Sequence, residues 1–193
     1  MRLFGTDIAR SLNMSYATLF NLKDIKYYHF YGRFPAQLDF AGFGLNSVRQ
    51  DFLWLRISNI IKQVCEKEPA SIGAFVLMNN HFHGILRVQR ERRFHWTVAF
   101  EQHCKDHFFE FEEDLRLEEG VHLIQINNYK VLKETIRYIY KNPVQAGLCQ
   151  RAIDYPYSTF RQILRPHTET ELRPISPIED PLCLILNPFQ IEK

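Results

Sequence analysis

Two histidines separated by a single residue, His81 and His83, are the first side chains in this sequence that could do chemistry. They flank Phe82 in the stretch HFHGILRV, which has the apolar character of a β-strand. Because strand side chains alternate, both imidazoles lie on one face of a sheet while Phe82 points to the other, toward a core. Two neutral imidazoles so placed can bind a divalent metal, although two solvated histidines are the alternative that this pair alone leaves open.

A second pair of polar side chains, Tyr138 and Asn142, is spaced by one helical turn. The buried face of that helix is predicted from apolar residues at helical spacing, Leu132, Ile136 and Ile139. Tyr138 lies about 120° from the centre of this stripe, and Asn142 projects beside it. Tyr140 lies toward the edge of the stripe and is predicted to pack. The helix therefore offers a phenol and an amide away from the core, although an ordinary boundary tyrosine would have the same pattern.

Hydrophobic periodicity predicts the elements that position these side chains. Apolar and aromatic runs predict strands at residues 25–31, 71–78, 81–88 and 121–126. Helical spacing predicts helices at 47–67, at 96–109, and from an asparagine cap at 127 or 128 to about residue 141, where Pro143 is expected to end the helix. The order β-α-β-β-α-β-α predicts an α+β fold, an antiparallel sheet with helices mainly on one face in the split βαβ, ferredoxin-like arrangement.

The chain divides into three predicted segments around this domain. Residues 1–24 form a helical extension that resembles a helix-turn-helix, although an amphipathic helix packed on the body is favoured. Residues 25–165 form the main domain. Residues 166–193 contain five prolines and more acidic than basic residues, which predicts an extended acidic tail.

Two longer stretches carry a resemblance to a known family. MNNHFHGILRV resembles the MPNHxH signature, the HUH motif of single-tyrosine transposases, and RYIYKNPVQAGL resembles their YIxxNPVxAGL block. YPYSTF follows where that family has a similar Pro-aromatic-Ser-Ser segment. Together these stretches are similar to the REP-associated tyrosine transposases, relatives of the transposases of the smallest bacterial insertion sequences. The resemblance spans roughly residues 25–160 and departs from the family at Asn79, in place of a proline, and after Gly32-Arg33.

That resemblance implies a role for each polar residue. Tyr138 would be the nucleophile, and His81, His83 and Asn142 would be the metal ligands of an HUH catalytic domain. The implied reaction cleaves and rejoins single-stranded DNA at hairpin-forming repeats through a 5′-phosphotyrosine. The implied metal is Mg²⁺ or Mn²⁺, although two imidazoles also suit Zn²⁺. The alternatives are a DNA-binding regulator that keeps the fold and a metal-dependent nuclease that uses water.

The formal net charge of +2 hides an uneven distribution. Residues 101–119 carry −6 and residues 169–193 carry −3, which leaves +11 on the rest of the chain. A basic body favours a polyanionic partner, and the acidic residues are expected to form a solvated loop and tail outside the active site. Basic residues near the two motifs are predicted to hold DNA phosphates: Arg87, Arg90, Arg92, Arg93, Lys130, Lys133, Arg137 and Lys141. Tyr27, Tyr28 and His29 are expected to stack on bases.

Composition and cysteine spacing exclude several classes of protein. In 193 residues, 46% are hydrophobic and 24% charged, which is typical of a globular domain and excludes a largely disordered chain. The four cysteines form no Cys-x-x-Cys pair, which excludes a zinc ribbon and favours reduced thiols. No stretch approaches 18 apolar residues. These features predict a cytoplasmic protein with no membrane partner. The resemblance implies a bacterial, nucleoid-associated protein that acts as a monomer or homodimer.

Overall fold

The part of the chain that the structure describes folds into a four-stranded antiparallel sheet with three α-helices. The structure, a computed structural model, describes residues 24–34, 46–108 and 117–160. Its strands are β1 (Ile25–Arg33), β2 (Ala70–Leu77), β3 (His81–Gln89) and β4 (His122–Ile126). Its helices are α1 (Asn46–Lys67), α2 (Arg93–Phe108) and α3 (Tyr129–Gln145). The predicted element order is confirmed, whereas the predicted tail and all of the N-terminal extension but Asp24 lie outside the described residues, so the three-segment division stays a prediction.

The strands lie in the order β2-β3-β1-β4, and each neighbouring pair is antiparallel. Tyr31 on β1 lies opposite His83 on β3, and Arg33 lies opposite His81. On the other side of β1, Tyr31 lies opposite His122 at the start of β4. Because directly opposed residues share a face of an antiparallel sheet, these side chains form one polar and aromatic surface at the same end of the sheet.

The opposite face of the sheet carries the main core. Phe82, between the two histidines, is fully buried there, and so is Phe30 on the neighbouring strand. Trp96 and Phe100 of α2 pack edge-on against Phe30, and Trp54 of α1 packs against the adjacent strand β2. The first two helices therefore cover one face of the sheet, as the alternation around Phe82 predicts.

Helix α3 packs on the other face, and the segment after it fixes it in place. Its buried residues are Leu132, Ile136, Ile139, Tyr140 and Pro143, which confirms the predicted stripe and the packing of Tyr140. The hydroxyl of Tyr140 lies 3.0 Å from Oγ1 of Thr159, and Oγ1 also accepts a 2.9 Å hydrogen bond from the backbone N–H of Phe75 on β2. The hydroxyl of Tyr155 donates to the carbonyl of Leu77 at 2.8 Å. The YPYSTF segment thus ties α3 to the edge strand.

The predicted end of α3 at Pro143 is wrong, because the helix continues to Gln145. A proline lacks only its own N–H, and the next donors still find acceptors: the N–H of Ala146 donates to the carbonyl of Asn142 at 2.9 Å. Gly147, with φ of 71°, then takes the left-handed conformation that ends helices. At the other end the Oδ1 of Asn128 accepts from the N–H of Val131 at 2.9 Å, so Asn128 is the N-cap.

Candidate active site

The two β3 histidines lie side by side on the sheet face that α3 partly covers. Their ring centroids are 5.1 Å apart with the rings nearly perpendicular, and both side chains are half-buried. Nδ1 of His81 lies 2.8 Å from Oδ1 of Asn80. Because an amide oxygen can only accept, Nδ1 of His81 carries the hydrogen and its Nε2 keeps a free lone pair. His81 is therefore in the tautomer that binds a metal through Nε2.

A third histidine, His29 on β1, contacts His83. Its Nε2 lies 3.1 Å from Nδ1 of His83, and the ring centroids are 5.2 Å apart. His29 lies diagonally across from His83, since its directly opposed partner is Ile85. The sequence assigned His29 to base stacking with Tyr27 and Tyr28, but both tyrosines are buried and cannot reach a base. The sequence does not reveal this contact, because it depends on the register of β1 against β3.

All three imidazoles are in surroundings that favour the neutral form. Burial lowers the pKa of His83 to about 3, and the neighbouring His29 and His81 act in the same direction. Burial also lowers the pKa of His29 to about 4. The pKa of His81 is lowered by burial and then by the charge of Arg33. Since only a neutral imidazole binds a metal, the histidines are in the required state near pH 7.

Tyr138 lies above the histidines and is exposed. Its ring centroid is 5.4 Å from that of His83 and 6.1 Å from that of His29, with the rings edge to face. The side chain is 45% exposed, whereas Tyr140, two residues on, is 2% exposed. The helical stripe therefore separates the two tyrosines of the YIYKNP stretch as predicted, and the exposed one lies at the histidines.

Two adjoining cavities open at this point, with volumes of about 480 and 420 Å³. They share Tyr31, His83 and Tyr138. The first is also lined by His29 and by residues of β4 and α3, Ile124, Val131, Glu134 and Thr135. The second is also lined by Gly32, Arg33, His81, Glu118, Glu119 and His122. The tyrosine and the histidine pair therefore face the same open space.

The second cavity corrects the expectation that the acidic run lies away from the site. Glu118 and Glu119, its last residues, line this cavity together with His81. Nε2 of His122 lies 3.5 Å from Oε2 of Glu119, and the His122 ring stacks on Tyr31 at 4.9 Å. These residues were missed because the backbone N–H of Glu118 bonds to the carbonyl of Arg33, a contact between distant parts of the chain.

Asn142 lies one turn after Tyr138 but is not on the walls of either cavity. Its side chain is half-buried, and its Nδ2 is buried with no hydrogen-bond partner in the part of the chain that the structure describes. The structure therefore brings Tyr138, His81 and His83 together at the cavities, whereas Asn142, one helical turn from Tyr138, does not line them. Its role as a ligand stays a prediction.

The predicted phosphate-binding residues fall into two groups. Arg90, Arg92 and Arg93 follow the far end of β3, and about seven residues of strand at ~3.3 Å each separate Arg90 from His83. Nη1 of Arg92 pairs there with Oε2 of Glu68 at 3.3 Å, and the Arg93 guanidinium lies 4.0 Å from the centroid of the Phe94 ring. Adjacency in sequence therefore does not place these arginines at the histidines.

The second group is closer to the tyrosine. Arg87 lies on the same face of β3 as His83, four residues along. The basic residues of α3 lie on one flank of the helix, about 60° to 140° around from Tyr138: Lys130, Lys133, Arg137 and Lys141. This flank borders Tyr138. Its basic residues are therefore the predicted phosphate contacts that DNA bound at Tyr138 could reach.

The side chains present fit a divalent metal bound by two imidazoles. Nε2 of His81 is free to bind, and His83 gains a free Nε2 when its Nδ1 donates to His29. Within residues 24–34, 46–108 and 117–160, no three His, Cys, Asp or Glu side chains form a cluster that could hold a metal. His29 adds no third ligand because its Nε2 faces His83. The remaining ligands would come from an amide, water or substrate oxygens.

The three cysteines in the described ranges line neither cavity. Cys65, Cys104 and Cys149 are free thiols, and Cys183 lies outside the described residues. None of the helices described here is long and apolar enough to cross a membrane.

Comparison with known proteins supports the fold. No family model matches the chain, and no curated protein matches it. A solved structure, that of a REP-associated tyrosine transposase bound to a REP hairpin, matches with a TM-score of 0.51 and 22% sequence identity. The match covers 78% of this chain and 83% of that one. The antiparallel sheet with its three helices is therefore the fold of a REP-associated tyrosine transposase, the family that the histidine and tyrosine motifs resemble.

Proposed function

We propose that this protein is a metal-dependent tyrosine transposase that cleaves and rejoins single-stranded DNA beside hairpin-forming repeats. The observation that carries the proposal is the position of Tyr138, exposed and 5.4 Å between ring centroids from His83. The two residues are 55 positions apart and come from different elements. Packing at a boundary does not require a tyrosine to lie over a pair of neutral histidines, whereas a nucleophile for a metal-bound phosphate has to lie there.

The proposed metal ligands are His81 and His83, with Asn142 as the third. The buried Nδ2 of Asn142 has no hydrogen-bond partner within the described residues, so no hydrogen bond from this nitrogen fixes the amide there. Mg²⁺ or Mn²⁺ fits a set that is completed by oxygens. A divalent cation at this site would neutralise the phosphate oxygens and make the phosphorus more electrophilic.

The chain's own residues supply the nucleophile. The Oη of Tyr138 gives up its proton and attacks the phosphorus, forming a P–O bond to the tyrosine. The bond between phosphorus and the 3′-oxygen breaks, and that oxygen leaves as a 3′-hydroxyl after taking a proton. A second 3′-hydroxyl can reverse the step and join strands, because the phosphotyrosine keeps the energy of the ester. No nucleotide cofactor is needed.

The first cavity suits an unpaired nucleotide beside the cleaved phosphate. Two of its wall residues, Ile124 and Val131, are apolar yet 53% and 40% exposed. Tyr31 and Tyr138 add aromatic surface to the same walls. Bases in a duplex are stacked on each other and cannot use such walls, whereas an unpaired base can pack on them. The solved structure with this fold is bound to a REP hairpin, which supports hairpin DNA as the substrate. The walls of the first cavity suit an unpaired flank beside that hairpin.

Covalent capture of DNA tests this proposal. Purified protein is incubated with Mn²⁺ and an end-labelled hairpin that has single-stranded flanks, and the products are separated on a denaturing gel. We expect a protein–DNA band with the wild type that is absent with Tyr138→Phe. Tyr140→Phe is the matched control, since Tyr140 is buried on the same helix, and it should keep the band.

Each of the other outcomes rejects the proposal in favour of one alternative. Cleavage that survives in Tyr138→Phe identifies a nuclease that uses water. DNA binding without cleavage by the wild type identifies a DNA-binding regulator with this fold.

A further inference from the structure

The contact between His29 and His83 allows two arrangements of one hydrogen. The atoms Nε2 of His29 and Nδ1 of His83 are 3.1 Å apart, which is a hydrogen-bond distance between two ring nitrogens. Between two neutral rings, either nitrogen can carry the hydrogen. If His29 donates, His83 carries its own hydrogen on Nε2 and has no lone pair there. If His83 donates, its Nε2 lone pair is free.

The neighbouring histidine shows which arrangement serves the site. His81 has its Nδ1 hydrogen bonded to Oδ1 of Asn80 at 2.8 Å, which leaves Nε2 as its only possible metal-binding atom. Histidines that bind metals commonly donate their other ring N–H to an acceptor, which fixes the tautomer and the ring orientation. His83 has its Nδ1 in the same situation, with His29 in place of the amide oxygen.

We propose that His29 is a positioning residue: it accepts a hydrogen bond from Nδ1–H of His83 and so holds the Nε2 lone pair of His83 ready for a divalent metal. This inference rests on the proposed function only for the identity of what His83 binds. It adds a role for β1, because the acceptor lies 54 residues away on the neighbouring strand.

The contacts of His29 distinguish this role from simple packing. Its ring also packs against Tyr31, at 5.3 Å between centroids, and edge-on to Tyr138 at 6.1 Å. His29→Phe keeps a ring of similar size for these contacts and removes the acceptor. His29→Gln loses the ring and restores an acceptor through Oε1. A packing role is therefore better served by Phe and a positioning role by Gln.

The tautomer of His83 can be measured directly in the metal-free protein. Nitrogen-15 NMR of the histidine side chains near pH 7 distinguishes Nδ1–H from Nε2–H in each ring. We expect His83 to carry its hydrogen on Nδ1 in the wild type. A His83 ring that carries its hydrogen mainly on Nε2 would overturn the inference.

Mn²⁺ binding, followed by electron paramagnetic resonance without DNA, provides the second readout. We expect His29→Phe to weaken Mn²⁺ binding by about 10- to 100-fold, and His29→Gln to restore most of that loss. Equal Mn²⁺ affinity of the wild type and His29→Phe overturns the role of His29 alone. A wild type that binds no Mn²⁺ overturns both this inference and the metal part of the proposed function. Normal Mn²⁺ binding without DNA cleavage overturns the proposed function and leaves the role of His29 standing.

Discussion

At the scale of single residues, burial makes the site histidines hard to protonate. The pKa is lowered to about 4 for His29 and to about 3 for His83. The unfolded chain takes up protons at these rings near the ordinary value of 6.5, well before the folded chain does. The two rings therefore contribute their full stability well above pH 6.5. That contribution falls as the pH drops from 6.5 toward 4 for His29 and toward 3 for His83.

We predict that removing one of these histidines flattens the acid side of the stability profile. The free energy of unfolding of the wild type should fall between about pH 7.5 and pH 5, and that of His29→Phe should fall less over the same interval. Urea denaturation at both pH values measures the difference. Parallel profiles for the two proteins would show that His29 does not take up a proton on unfolding.

His29 also shows what sequence patterns can and cannot predict about the site. Alternation on a strand and a stripe on a helix are local patterns, and they predict that His81 and His83 share a face and that Tyr138 lies clear of the core. The roles of these residues came from the family resemblance. His29 lies between aromatic neighbours that alternate between the two faces of the sheet, and its partner is set by the register of two strands. Register and loop position depend on distant parts of the chain, which is why the contact of His29 with His83 and the position of Glu118 at the second cavity could not be predicted.

At the scale of elements, α3 has two tasks on its two sides. Its buried stripe packs against the sheet, and the Tyr140 hydroxyl meets Thr159, while the opposite side presents Tyr138. The sequence pattern predicted the helix but not where it ends. Pro143 removes only one hydrogen-bond donor and leaves the following turn intact, so the helix continues past it. The packing of this buried stripe on the sheet therefore fixes the position of Tyr138 above His83.

We predict that the stripe dominates the stability of α3. Ile139 is fully buried, so Ile139→Ala should lower the free energy of unfolding by about 2–5 kcal/mol. Val131, exposed on the same helix, is the matched control, and Val131→Ala should change it by about 0.5 kcal/mol or less. Chemical denaturation measures both. Similar costs for the two variants would contradict the packing described for α3.

A glycine in β3 gives a second prediction at this scale. A Cβ on Gly84 would overlap the ring of Phe30, which is fully buried and packed between Phe75, Phe82 and Trp96. Gly84→Ala should therefore cost about 1–3 kcal/mol in the free energy of unfolding. The double variant Gly84→Ala with Phe30→Leu tests the cause. If the overlap is the cause, the double variant should lose less free energy of unfolding than the two single variants together. If the two losses simply add, the cost of Gly84→Ala has another origin.

At the scale of the whole molecule, the fold determines which charged residues lie near the site, and proximity in sequence does not. The basic flank of α3 borders Tyr138, whereas Arg92 lies at the far end of β3 and is paired with Glu68. The sequence predicted both groups as phosphate contacts, because it could count basic residues near the motifs but could not show that a strand separates them. The same folding brings Glu118 and Glu119 to the second cavity.

We predict that the salt dependence of DNA binding separates these groups. Lys141→Gln, one turn from Tyr138, should reduce the slope of log affinity against log salt concentration by about 0.7 if it contacts one phosphate of a single strand. Arg92→Gln should leave the slope unchanged. Fluorescence anisotropy of a labelled hairpin across salt concentrations measures both slopes. A larger change with Arg92→Gln than with Lys141→Gln would mean that the DNA binds at the end of the sheet far from Tyr138, which would contradict the proposed site.

The central claim is that Tyr138, held above His81 and His83, forms the covalent bond to DNA. It is tested most directly by mass spectrometry of the protein after reaction with Mn²⁺ and a hairpin substrate, followed by nuclease and protease digestion. We predict a peptide that carries a phosphorylated nucleotide on Tyr138, and an unmodified Tyr140. A nucleotide on any other residue, or cleaved DNA with no modified peptide, would contradict the claim.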